Sequence, residues 1–207
     1  MRRHTRRALL FVLVALLAAP HARAQVDSAA RQLFEAGQNE EALRAITAGR
    51  DAGTASPADS YLAAQILLKL TRRAEARAEL ARLVNQTDPV WKMIAESTIA
   101  SIDGNRNAAL AAAEKAAAVA PALFFASYQL GLVKAERDDW PGSADAFERA
   151  STSDPTFAYA HYYGGLAYSR AKRADRMAIH FEMFLKLAPK APERLAVESL
   201  MRTVRGK

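Results

Sequence analysis

Between Pro121 and Pro155 the apolar positions form two helical stripes. Phe124, Tyr128, Leu130, Leu132 and Val133 fall within one stretch, and Ala144, Phe147 and Ala150 follow in a second at three-to-four spacing. Asp138-Asp139-Trp140-Pro141 lies between them. An aspartate that can cap a new helix, followed by a proline in its first turn, is a helix-start signal. Ser153-Asp154-Pro155 is the matching stop, because proline lacks an amide hydrogen and forces its predecessor away from helical angles. The pattern predicts a helix hairpin.

The hairpin is copied. Pro121, Pro155 and Pro189 stand 34 residues apart, and Gly165 and Phe181 repeat Gly131 and Phe147 at the same interval. A glycine inside a helix costs about 1 kcal/mol relative to alanine, so two at one repeat position predict close approach of the paired helix. Fainter copies lie upstream. Residues 90–121 turn at Asp103-Gly104-Asn105 with Ala109, Ala113 and Ala116 inward; residues 56–89 turn at Thr71-Arg72 with Ala76, Leu80 and Leu83 inward. A first unit over 26–55 breaks at Gly37 and packs Ala42 and Ile46. The units are thus about 26–55, 56–89, 90–121, 122–155 and 156–189. After Pro189, residues 190–207 place Ala196, Val197, Leu200, Met201 and Val204 on one helix side, with Glu193, Arg194, Glu198 and Arg202 largely opposite. This is the half-wet helix that the open end of a repeat stack requires.

Leu130-Gly131, Phe147, Ala150 and Pro155, then Gly165, Tyr168, Phe181 and Pro189, resemble the tetratricopeptide repeat, a 34-residue helix-turn-helix unit. Departures from its pattern are Ser127 and His161 at the tryptophan place, Lys134 at the first unit's tyrosine, and Ser143 and Met177 at a small-residue place. The resemblance implies an all-α, right-handed α-solenoid of about five hairpins plus a C-terminal capping helix, about eleven helices in all. It also implies that the first helix of each hairpin lines a concave groove. Aligned by repeat, Tyr61, Ile94, Tyr128 and Tyr162 form one column on those helices, and Trp91, Phe125 and Tyr159 a second, one turn earlier. Leu132 and Leu166 stand where chaperone-tail readers of the family carry polar clamps for a terminal carboxylate, which disfavours that ligand class. The aromatic columns are expected to offer flat apolar faces with hydrogen-bonding tips to an extended peptide or short helix.

The chain's start changes the charge picture. Arg2, Arg3, Arg6 and Arg7 precede an apolar run from Ala8 to Ala19, then Pro20 and Ala22-Arg23-Ala24. This is the layout of a secretory signal peptide over residues 1–24, cleaved before Gln25. Twelve apolar residues span only about 18 Å of helix against a hydrocarbon core of roughly 30 Å. The twin-arginine route is an alternative to the general secretory one, because Thr5-Arg6-Arg7-Ala8-Leu9-Leu10 resembles its signal. The chain has 29 basic and 22 acidic residues, but five of the arginines lie in residues 1–24, leaving a net charge of +2 on the remainder. A nucleic-acid reading of the basic balance therefore fails. The absence of cysteine removes disulfides, thiolate metal sites and a cysteine nucleophile together.

Catalytic constellations are equally missing. His161 and His180 are the histidines beyond residue 24, with no His-x-x-x-His pattern, nucleophile elbow or phosphate-binding glycine loop. The expectation is a non-catalytic scaffold of the bacterial envelope, most readily periplasmic, with no cofactor or metal. Its partner is a protein or peptide, not nucleic acid, and self-association through the end helices stays open. The alternative is electrostatic binding of lipid headgroups or acidic polysaccharide through Lys186, Lys190, Arg194, Arg202, Arg205 and Lys207.

Overall fold

The computed structural model describes residues 29–205; the predicted signal peptide lies outside them. Among the described residues there are eleven helices and no strand. The first hairpin pairs α1 (Ala29–Glu35) with α2 (Asn39–Asp51), and the second pairs α3 (Pro57–Lys69) with α4 (Arg73–Val84). The third joins α5 (Pro89–Ile102) to α6 (Arg106–Val119), the fourth α7 (Phe124–Glu136) to α8 (Trp140–Ser153), and the fifth α9 (Ala158–Arg170) to α10 (Ala174–Leu187). A final helix, α11 (Arg194–Arg205), closes the row.

Local chemistry sets the helix starts. Ser56 and Asp59 form a reciprocal capping box at α3, with Pro57 in its first turn. The carboxylate of Asp139 accepts the Gly142 amide at 3.0 Å and caps α8 as the sequence predicts. Asp88 and Asn105 cap α5 and α6 in the same way. Inside each hairpin the turn passes through a left-handed residue: Gly37, Thr71, Gly104, Asp138 and Lys172, with φ between 58° and 78°. That conformation satisfies the last carbonyls of the first helix and reverses the chain within a few residues.

Each second helix packs on its own first helix and on the first helix of the next hairpin, while α7 also meets α5 and α9 along an inner wall. The predicted close approach at the glycines is present. A β-carbon on Gly131 would meet the Phe147 ring at 2.8 Å, and one on Gly165 would collide with Phe181. A single apolar cluster runs from Ala30 to Met201, with a smaller one of Ala109, Ala113, Leu130, Val133 and Ala146 beside it. Of the described side chains on the predicted side of α11, Val197 and Met201 are buried, whereas Ala196 and Leu200 are exposed.

The solenoid curls until its first hairpin meets its last. Arg31 on α1 donates to Asp154 at 2.8 Å, and the Phe34 and Tyr159 rings lie 4.6 Å apart, centroid to centroid. Lys69 at the end of α3 donates to the Tyr159 hydroxyl and to Glu193, each at 2.6 Å.

Candidate functional site

The curl decides the fate of the aromatic columns. Tyr61, Trp91, Ile94, Phe125, Tyr128 and Tyr159 are all buried, so the expected open ladder of aromatic faces is not what these side chains form. They pack on one another across the inner wall: Tyr61 meets Phe125 edge-on at 5.2 Å and Trp91 at 6.3 Å, and Tyr128 meets Phe147 at 5.6 Å. The physical reason is apolar area. Large rings on neighbouring first helices remove more surface from water by meeting each other than by lining an open channel. Leu132, Tyr162 and Leu166 alone among the predicted groove residues stay half-buried.

Burial of the tyrosines is matched by polar partners. The Tyr61 hydroxyl donates to Gln129 Oε1 at 2.7 Å, Gln129 Nε2 donates to Ser97 Oγ at 3.1 Å, and Ser97 donates to the Ala109 carbonyl at 2.9 Å. This relay crosses α3, α7, α5 and α6. Burial pushes the phenols of Tyr61, Tyr128 and Tyr159 up from their usual range, and that of Tyr163 to about 12.

Beyond the buried rings, toward the C-terminal ends of the first helices, the wall opens into a cavity of about 520 Å³. Gln65 and Leu68 of α3, Thr98, Ser101 and Ile102 of α5, Gln129, Leu132 and Glu136 of α7, and Tyr163 of α9 line it, with Arg73 at its edge. Gln65 Nε2 and Ser101 Oγ are shielded from solvent there and have no hydrogen-bond partner. Orphaned buried polar atoms are costly, at about 1–3 kcal/mol each. Leu132 was legible as a groove residue; Gln65, Ser101 and Tyr163 were not. Gln65 and Ser101 occupy later turns of the first helices and Tyr163 directly follows the predicted Tyr162, at places where the repeat pattern sets no residue type.

On the other side of the fifth hairpin His161 and His180 come together, with ring centroids 5.4 Å apart. Glu148 Oε2 accepts from the Tyr168 hydroxyl at 2.9 Å and lies 2.9 Å from His180 Nε2. Gly164 makes room for the imidazole, since a β-carbon there would lie 2.7 Å from His180 Nδ1. Burial lowers the pKa of His161. Burial also works to raise Glu148, but hydrogen bonds from His180 and Tyr168, with the charges of His180 and Arg176, outweigh it and hold the carboxyl below its usual value. Among the described residues no three of His, Asp and Glu converge to hold a metal ion. No described helix is long and apolar enough to cross a membrane. In the basic C-terminal region Arg194 is paired with Glu198 at 2.8 Å.

Solved structures share this arrangement of hairpins. TTC0263, a thermophilic tetratricopeptide-repeat protein of Thermus thermophilus, superimposes with a TM-score of 0.60 at 20% identity, over 86% of this chain and 96% of that one. The fold is that of a tetratricopeptide-repeat protein. YrrB, described as a repeat protein of this kind with an unusual peptide-binding site, gives a TM-score of 0.50 at 16% identity, over 82% of this chain and 88% of its own. The sequence itself matches no protein-family profile and no curated protein.

Proposed function

We propose that this tetratricopeptide-repeat solenoid is a non-catalytic scaffold of the bacterial envelope that binds a peptide or protein segment in the open part of its concave wall. The observation carrying the reading is the cavity of about 520 Å³, in which Gln65 Nε2 and Ser101 Oγ have no partner. A peptide backbone supplies both carbonyl acceptors and amide donors, and Leu68, Ile102 and Leu132 provide apolar contact for its side chains. Repeat proteins of this fold bind protein segments along such surfaces, and YrrB is described as having a peptide-binding site. The placement in the envelope is supported by the basic, apolar and small-residue order of residues 1–24.

Selection of peptides from a random display library against the purified chain tests the groove. Enriched peptides should lose about tenfold in affinity on Leu132→Asp, the loss that follows from removing one apolar anchor contact of about 1.4 kcal/mol. Peptides that bind the Leu132→Asp and Gln65→Ala variants as tightly as the wild type would place the site elsewhere. The envelope placement is tested separately by cell fractionation and N-terminal sequencing, with Gln25 as the expected first residue.

A further inference from the structure

The contact between α1 and the fifth hairpin has the make-up of a ligand in its site. Asp154 Oδ1 is taken by the amide and hydroxyl of Thr156, at 3.0 and 2.7 Å, which leaves Oδ2 for the Arg31 guanidinium at 2.8 Å. Arg31 also donates to Thr156 Oγ1 at 3.2 Å and lies over the Phe157 ring at 4.9 Å. The Glu35 carboxylate accepts the first amide of α9, that of Ala158, at 2.9 Å, where the positive end of the helix dipole favours an anion. Between these two ionic contacts Phe34 stacks on Tyr159, and Lys69, held by Glu193, lies against the same pair of rings. The helix thus presents arginine, phenylalanine and glutamate at positions i, i+3 and i+4 to the wall, with Arg31 Nε also donating to Glu35 Oε1 at 3.2 Å.

One feature sets the first hairpin apart: it packs less closely on the next one than any later hairpin does on its successor. Beside its packing on α2, what holds α1 is the contact across the groove, in which the ionic contacts of Arg31 and Glu35 flank the apolar pair of Phe34 and Tyr159.

We propose that the surface formed by Asp154, Thr156, the Ala158 amide, Tyr159 and Lys69 is a docking site for a partner helix carrying Arg, Phe and Glu at i, i+3 and i+4, occupied in cis by α1. The proposal rests on reading the chain as a peptide-binding scaffold, and it adds a second site with a stated ligand pattern. An external helix must displace α1, so its apparent affinity is reduced by the fraction of chains that are open.

The probe is a fluorescein-labelled synthetic peptide of residues 25–38, titrated by anisotropy against the full chain. Phe34→Ala in the protein removes the cis ring without stranding a buried charge, and should tighten peptide binding about tenfold by raising the open fraction. The same peptide carrying Arg31→Ala and Phe34→Ala should not bind. A second arm does not depend on a destabilised variant. A β-carbon at Gly37 would lie 3.9 Å from that of Pro192, within the disulfide range, and the chain has no cysteine of its own. In the Gly37→Cys/Pro192→Cys variant, oxidation should abolish binding and reduction restore it; strain at position 37 is common to both states and cancels. Equal binding by oxidised and reduced forms overturns the proposal, as does equal binding of the altered peptide. Concentration-dependent dimers without peptide binding would assign the surface to a second copy and also overturn it. Leu132→Asp should leave this peptide's affinity unchanged, so failure here and failure of the groove reading are told apart.

Discussion

At the residue scale, the repeat grammar is carried by a few positions with a physical duty. The left-handed turn residue recurs every 33 or 34 residues, yet it is glycine only at Gly37 and Gly104 and is Thr71, Asp138 and Lys172 elsewhere. Thr71 is the most strained of these, being β-branched and exposed at φ 61°. A left-handed L-residue costs about 1–2 kcal/mol, whereas glycine there costs only about 0.5–1 kcal/mol of extra unfolded-state entropy. Thr71→Gly should therefore stabilise the chain by up to about 1 kcal/mol, raising Tm by about 2–4 °C. A thermal melt that moves the other way would mean that the exposed bond from the Thr71 hydroxyl to the Leu70 carbonyl outweighs the strain. The turn was legible in the sequence as Thr71-Arg72, but its backbone sign was not, because the residue type there is free to vary.

At the element scale, the hairpins, the aspartate cap of α8 and the glycine contacts were readable, since each depends on neighbours within one 34-residue unit. Burial of the first-helix columns was not. Curvature accumulates from small rotations between successive units, and no single repeat encodes whether Tyr61 will face solvent or meet Phe125 from two hairpins on. Nor was the acid beside the histidine pair readable, because Glu148 and His180 approach only when α8 packs beside α9 and α10. That junction predicts an acid response. His161 has a lowered pKa through burial, so the native state keeps it neutral while the unfolded chain takes up a proton near the ordinary value of 6.5. Its contribution is complete above that pH and is lost as pH falls through the folded value. Glu148, also lowered, acts in the same direction from 4.5 downward. Glu35 opposes them, because burial raises its pKa and its contribution fades as pH rises past 4.5. Lowering the pH from 7.5 to 5.5 should therefore reduce Tm, and His161→Phe should flatten that slope. An unchanged slope in the variant would remove His161 from the account.

At the scale of the whole molecule, an open stack of repeats frays from its ends, since each unit touches only its neighbours. The alanine-rich front half, with α6 burying little more than Ala109, Ala113 and Ala116, offers small apolar area. On that ground the slowest amides should lie after Pro121. The join between α1 and α9 adds something a linear stack lacks, namely a route by which damage at the front is felt at the back. Arg31→Ala leaves Asp154 buried without its cation, a loss of about 3–5 kcal/mol where a buried pair is broken, limited here by undocking of α1. In a linear stack that loss stays within α1, α2 and α3. In the closed one, hydrogen exchange should also quicken at Ala158, Tyr159 and Ala160, at the start of α9, while amides in the middle of α7 keep wild-type protection. Faster exchange confined to the first hairpin would show that the two ends touch without supporting each other. Faster exchange at both ends, with α7 unmoved, makes the closure a shared element of stability and ties access to the inner wall to the docking of α1.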